Sequence, residues 1–385
     1  MKHLKKFVFG AGMAAILLSS CGNGGKTLSG LDPAKFDTII NEKPVKLYTL
    51  TNKKGIEVCI TNFGGRVVSL MVPDRNGNFI DVVLGYDNIA QYADTVNSPS
   101  DYGATIGRYA NRINKGQLTI AGEKIQLPVN NFGHCLHGGP SGWQYQVYDA
   151  EQIDDQTLKL TIVSPDGDNN FPGTVTATAT YKLTDDNALD CTFEATTDKE
   201  TVINMCNHSY FTLTGDPSKP GTNMELYVNA AKMTPVDTTY MTTGELRDVY
   251  GSSLDYNKPR PLYEMIADTT EHQIKYAGGY DHNYVLNTYK NGQGNDQMVA
   301  ASLYDRNTGI FLQVYTNEPG IQVYTGNFQG TGVAGKHGIQ YPKHVSVCLE
   351  TQKYPDSPNK KDWPSPYLKP GEKYLSHCVY KFSTK

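Results

Sequence analysis

From Lys46 to the C-terminus the chain alternates apolar and polar residues with a period of two, in short runs set apart by Gly, Pro, Asn and Asp. The clearest runs cover residues 56–60, 157–163, 174–183, 189–195, 310–316, 321–325 and 374–382. Successive side chains of a strand point to opposite faces, so this pattern predicts strands that bury one face. Helical spacing is never sustained over a dozen residues without a Gly, Pro or Thr-rich break, so helices should be short and few. Asp74-Arg75-Asn76-Gly77-Asn78 and Asp305-Arg306-Asn307-Thr308-Gly309 carry Asn and Gly residues that adopt positive φ cheaply, which predicts hairpin turns. No repeat of fixed length points to a propeller or solenoid. With no change of composition after Val45, the expectation is an all-β fold: one large antiparallel β-sandwich over residues 45–385.

Composition agrees with a globular chain that buries a large core: 385 residues, of which 38% are hydrophobic and 19% charged. The 26 tyrosines suit pleated surfaces. The net charge is −4, and it becomes −7 without Lys2, Lys5 and Lys6, so nothing in the charge balance favours nucleic acid as a partner. Those lysines open a basic start followed by an apolar run over residues 7–18 and then Leu18-Ser19-Ser20-Cys21. The run is too short to span a bilayer and ends in small residues, as export signals do. A cysteine directly after Leu-Ser-Ser resembles a bacterial lipoprotein cleavage site, with Cys21 as the lipidated new N-terminus; a signal cut nearby without lipid is the plainer alternative. Residues 1–21 are therefore expected to be a lipoprotein signal peptide and residues 22–44 a tether. The mature chain would then be exported to the periplasm or cell envelope, attached to a bacterial membrane through a lipid on Cys21. Cys59, Cys135, Cys191, Cys206, Cys348 and Cys378 show no CxxC or zinc-finger spacing and read mostly as small buried side chains.

Candidate chemistry lies in several polar clusters within this β pattern. In the run 202–211, regular alternation places Asn204, Cys206 and His208 on one face, which is polar where a core would be apolar, and this favours a lined cavity. In the run 345–352, Val345, Val347 and Leu349 take one face, and Glu350 falls with Ser346 and Cys348 on the other; a solvated glutamate is the ordinary reading. An imidazole and a carboxylate together are the minimum equipment for general acid–base work near neutral pH. Gly107-Arg108-Tyr109-Ala110-Asn111-Arg112-Ile113 offers the planar donors of Arg112 and the mixed donor and acceptor of Asn111, as a polyhydroxylated ligand requires. The competing reading is an arginine that staples loops. His134-Cys135-Leu136-His137 precedes a Gly pair; it lacks the helical spacing and local carboxylate of a zinc site, so a hydrogen-bonding role for His137 is favoured. Tyr280-Asp281-His282 sets an acid among aromatics, whose faces suit the C–H faces of sugar rings.

Taken together, seven segments in order resemble the aldose 1-epimerases, also called galactose mutarotases, from about Val45 onward. They are Asn62-Phe63-Gly64-Gly65, the 107–113 segment, Leu136-His137-Gly138-Gly139, Asn207-His208-Ser209-Tyr210-Phe211-Thr212-Leu213, Tyr280-Asp281-His282, the 319–327 segment, and Tyr341-Pro342-Lys343-His344 leading into Leu349-Glu350-Thr351-Gln352. The resemblance implies a galactose mutarotase-like supersandwich whose concave face holds one hexose, with His208 as general acid and Glu350 as general base facing one another across the hollow. It further implies that Asn111, Arg112, His137, Asp281 and Gln322 hold hydroxyls or assist. The reaction it implies is interconversion of the α and β anomers of free glucose or galactose by ring opening and reclosure. That chemistry needs no redox step or electron sink, so neither cofactor nor metal is expected, and the partner is a small aldose. Asp281 is a candidate for holding the proton on His208. Trp143 stands where many relatives carry Phe, and the tract 251–277 has no fixed equivalent. Competing readings are a glycoside hydrolase with Glu350 and Asp281 as paired carboxylates, a non-catalytic sugar-binding lipoprotein, and a zinc hydrolase using His134, His137 and His208.

Overall fold

The computed structural model describes residues 25–330 and 332–385. The expected signal peptide and Cys21 lie outside the described residues. Among those described, the chain is all-β, with two short α-helices, Ile89–Ala93 and His272–Ala277; no helix is long and apolar enough to cross a membrane. A nine-stranded antiparallel sheet runs from Asp149–Asp154 at one edge through Ala188–Thr197 and Tyr374–Thr384 to Arg260–Pro261 at the other. Against it packs a six-stranded sheet containing Tyr210–Phe211, Val347–Gln352, Gly320–Tyr324, Asp281–Leu286, Ala230–Thr234 and Arg247–Asp248 in that order. The strands fall where the period-two runs place them, and both predicted turns join paired strands.

Alternation explains how the two sheets close on each other. Val347, Leu349, Ile321 and Val323 from the smaller sheet share one core with Tyr181, Cys191, Phe193, Leu312 and Val314 of the larger. Opposed residues of an antiparallel pair share a face. Glu350, Gln322 and Asn283 are register partners in one cross-strand row, and Cys348, Tyr324 and Asp281 form the next. With the odd-numbered residues of 347–352 and 320–324 committed to the core, both rows are left on the opposite face, roofed by loops. Val345 departs from the expected face: it precedes the strand and packs with Cys348 and Tyr341 in a second cluster.

The expected boundary at Val45 is corrected by the packing of the segment before it. Leu31 and Phe36 are 2% and 0% exposed and join Leu84 and Tyr92 in that second cluster. The Ser29 hydroxyl bonds the Ser69 hydroxyl at 3.0 Å, and Thr38–Ile40 pairs with Lys43–Val45. Burying Leu31 and Phe36 contributes roughly 2 kcal/mol each, enough to hold residues from Thr27 onward on the sandwich rather than leave them as a free tether.

Candidate active site

Glu350 and His208 meet because two strands cross on the polar face. Cys206–His208 pairs with Ala104–Ile106, and its alternation turns Met205 into the main core while Cys206 and His208 reach Glu350. The His208 Nε2 lies 3.5 Å from Glu350 Oε1, and Cys206 Sγ lies 3.9 Å from Glu350 Oε2. His208 stacks on Tyr210 with ring centroids 5.0 Å apart and meets His137 edge-on at 5.3 Å. His208 and Glu350 are 4% and 2% exposed, yet both line a cavity of about 560 Å³, within the range of small-molecule sites. The two groups therefore stand side by side on one wall, not across the hollow from each other.

The segment after Gly107 supplies the adjoining wall, and glycine is required there. Gly107 lies flat against the Trp143 indole, so any Cβ would overlap the ring, and a Cβ on Gly138 would strike the Gly107 carbonyl. This close approach sets His137 beside Asn111: the Asn111 N–H donates to His137 Nδ1 at 3.2 Å and the His137 N–H to the Asn111 carbonyl at 3.1 Å. A neutral His137 then carries its proton on Nε2. The two arginines of the segment divide the two readings between them. Arg108 staples loops, donating to the carbonyls of Ser164, Pro165, Pro172 and Gly173. Arg112 lines the cavity, held by Asn131 Oδ1 at 2.9 Å from Nη2 and lying 5.2 Å over the Tyr240 ring.

Burial governs the electrostatics. It pushes the Glu350 carboxyl well above the usual range, with Asp281 and Asp101 adding to the rise and Arg112 opposing it. It pushes His208 down, opposed by Asp101, and takes His137 down to about 3. Asp281 is raised by burial and lowered by Arg112 and by Gln322. His208 and Glu350 therefore behave as a unit that prefers one shared proton near neutrality, since both the doubly protonated and the fully deprotonated pair leave a net charge in a dry site.

Of the residues singled out from sequence, His208, Glu350, Asn111, Arg112, His137 and Asp281 all line this cavity. Gln322 stands behind them, its Nε2 donating to Asp281 Oδ1 at 2.6 Å, so it orients Asp281 instead of facing the hollow. His134 is elsewhere, bonded to Thr239 Oγ1 at 2.8 Å and to the Lys115 N–H, which removes it from a zinc set with His137 and His208. The acid beside the histidines is Asp101, not Asp281: ligand atoms of Asp101, His137 and His208 lie within 4.8 Å of one another. Asp101 sits in the loop Ser98-Pro99-Ser100-Asp101, which reads as an ordinary turn. Also absent from the sequence reading is an aromatic wall of Tyr86, Tyr102, Tyr210, Tyr324 and Tyr341. Ligand atoms of His208, Cys348 and Glu350 also lie within 4.8 Å of one another.

Comparison with known proteins agrees with this geometry. The family model described as aldose 1-epimerase matches residues 46–381. The galactose mutarotase of Mus musculus is 37% identical over 85% of this chain and 91% of its own length, and the aldose 1-epimerase of Escherichia coli K12 is 35% identical over 88% and 96%. Among solved structures, the aldose epimerase homologue from C. elegans superposes with a TM-score of 0.80 at 28% identity, covering 88% of this chain and 99% of that one. The galactose 1-epimerase from Lactobacillus acidophilus NCFM gives 0.77 at 28%, covering 90% and 97%. A sandwich whose polar face carries a paired imidazole and carboxylate in a sugar-sized hollow, matched over nearly its whole length by these proteins, places the chain in the aldose 1-epimerase family.

Proposed function

We propose that the chain interconverts the anomers of free aldohexoses, glucose and galactose among them, with Glu350 as general base and His208 as general acid. The observation that carries this is the 3.5 Å contact between His208 Nε2 and Glu350 Oε1 on the cavity wall. Both oxygens that exchange protons, the O1 hydroxyl and the ring oxygen, are bonded to C1, so the acid and the base must be neighbours. Paired carboxylates that flank a glycosidic bond stand about 5 Å or more apart.

In the forward step Glu350 takes the O1 proton while His208 delivers one to the ring oxygen; the C1–O5 bond breaks and C1=O1 forms. The pair's shared proton means that the ion pair, Glu350 carboxylate with His208 imidazolium, carries no net charge. After rotation about C1–C2 the same groups work in reverse and close the ring on the other carbonyl face. His137, neutral with Nε2–H free to donate, and Arg112 steady O1 and its neighbours, while Asp281, oriented by Gln322, accepts from a ring hydroxyl.

Each positioned proton transfer contributes roughly 10²–10⁴ in rate. Glu350→Gln and His208→Asn are each expected to lower kcat by several orders of magnitude with far-UV circular dichroism unchanged, measured by polarimetry on freshly dissolved α-glucose. Wild-type rates in either variant would overturn the assignment. The export reading joins this proposal: a lipid on Cys21 would hold the enzyme at the cell envelope, supported by the basic start, apolar run and Leu18-Ser19-Ser20-Cys21. Labelled fatty acid incorporated into the wild type and absent from Cys21→Ser tests it.

A further inference from the structure

The proton transfers above give no part to Cys348, although its sulfur stands beside both groups that make them. Cys348 precedes Glu350 by two residues on the strand Val347–Gln352, so the two side chains share the polar face. Ligand atoms of His208, Cys348 and Glu350 lie within 4.8 Å of one another, and the three residues are 4%, 0% and 2% exposed. His208 and Glu350 line the cavity, so a solute reaches the set from there. Imidazole, thiolate and carboxylate are the donors of zinc sites in which three protein ligands leave a fourth position open.

A second triad, Asp101, His137 and His208, is as compact, but the hydrogen bonds speak against it. His137 Nδ1 accepts the Asn111 N–H and Nε2 carries the proton, so a neutral His137 has no lone pair left for a metal. His208 is under no such constraint: its Nδ1 has no hydrogen-bond partner among the described residues, so the ring can hold its proton there and turn the Nε2 lone pair to an ion. His208 Nε2 and Glu350 Oε1 are 3.5 Å apart, close to the edge of about 3.4 Å of a tetrahedron with bonds of about 2.1 Å. Charge also fits. With Cys348 as thiolate and Glu350 as carboxylate, a divalent ion leaves the set with no net charge in a dry site. The sulfur and nitrogen donors select a borderline-soft ion such as Zn²⁺ over Mg²⁺ or Ca²⁺, which take oxygen.

We propose that His208, Cys348 and Glu350 bind a divalent transition-metal ion, Zn²⁺ foremost, and that the bound ion switches the enzyme off. The consequence rests on the epimerase reading above; the binding does not. An ion held there engages the lone pair of the acid and the charge of the base, and it fills the place that O1 and the ring oxygen must reach. Sugar and ion therefore exclude each other. The proton shared by His208 and Glu350 and the thiol proton of Cys348 leave to solvent as the ion binds.

Polarimetry on fresh α-glucose should show that a few equivalents of Zn²⁺ stop the wild type, that Mg²⁺ does not, and that a chelator restores the full rate. Without metal, Cys348→Ala should keep wild-type kcat within about twofold. It should need at least about tenfold more Zn²⁺ for half inhibition, since losing even an outer partner of a metal ligand weakens binding by that much. Cys206→Ala, which removes a buried thiol 3.9 Å from Glu350 Oε2 but outside the set, should respond to Zn²⁺ as the wild type does. A wild type indifferent to Zn²⁺, or equal inhibition of wild type and Cys348→Ala, overturns the site. Co²⁺ gives a separate reading if Cys348→Ala does not fold. Bound to the wild type it should show a near-ultraviolet thiolate charge-transfer band that excess galactose removes; no band, or one that galactose leaves unchanged, overturns the site. If the wild type turns over no sugar, the epimerase reading fails instead, and a Co²⁺ band present in the wild type and lost in Cys348→Ala still upholds the metal site.

Discussion

Replacing Asp101 by Asn tests the electrostatic account of the site with little structural disturbance. The change keeps the shape of the side chain, and Asp101 Oδ1 makes no hydrogen bond among the described residues that an amide would break. Its charge lies within 4.8 Å of both histidines. At that separation a unit charge is worth about 1 kcal/mol in the dielectric of bulk water and about 3 kcal/mol at an effective dielectric of 20. Asp101 is part-exposed, so the value falls between, corresponding to a shift of about one to two pK units. Asp101 favours the protonated form of both His208 and Glu350, so its removal moves proton loss from the pair to lower pH. The alkaline limb of kcat/KM should therefore shift acidward by about one unit or more, with rates roughly tenfold down at neutral pH and converging with the wild type at low pH. Polarimetry on fresh α-glucose from pH 5 to 9, with a parallel NMR titration of His208, measures both. A uniform drop with the alkaline limb unmoved would show that Asp101 merely contacts substrate, and the electrostatic reasoning would be wrong.

Two further outcomes follow from packing. Phe36→Ala, emptying a fully buried site in the N-terminal segment, should cost about 3–5 kcal/mol in urea unfolding; a loss below 1 kcal/mol would return that segment to the status of a tether. His377 is held by Asp190 and Asp296, which raise it to about 9. Because the folded value lies above the unfolded one, its stabilising contribution is complete below about pH 6.5 and fades as pH rises through 9. His377→Ala should therefore cost roughly 2 kcal/mol at pH 6 and markedly less at pH 10; an equal cost at both values would remove the ionic explanation.

Much of the fold was legible because period two is a strong signal wherever one face is buried, as in the runs that became Val175–Leu183 and Ile310–Thr316. The faces of Cys206, His208 and Glu350 were legible for the same reason. Alternation says which side a residue takes but not what covers that side, so a solvated Glu350 is the ordinary reading of the sequence; only the loops carrying Asn111, His137 and Tyr341 roof it. Asp101 was hidden because a turn with Ser and Pro needs no further explanation. Tyr86, Tyr102 and Tyr324 each resemble ordinary core residues, and their common wall exists only in three dimensions. Leu31 and Phe36 carry no signal in the sequence, because isolated apolar residues among Lys and Asp form no pattern.

The back-to-back placement of Leu349 and Glu350 on one short strand also constrains how this scaffold can change over evolutionary time. Adding or losing one residue between Val347 and Gln352 would drive the carboxylate into the hydrocarbon between the sheets and thrust leucine at the sugar, abolishing stability and turnover together. Length variation should therefore accumulate in outlying stretches such as 251–277, while the reactive strand keeps its span.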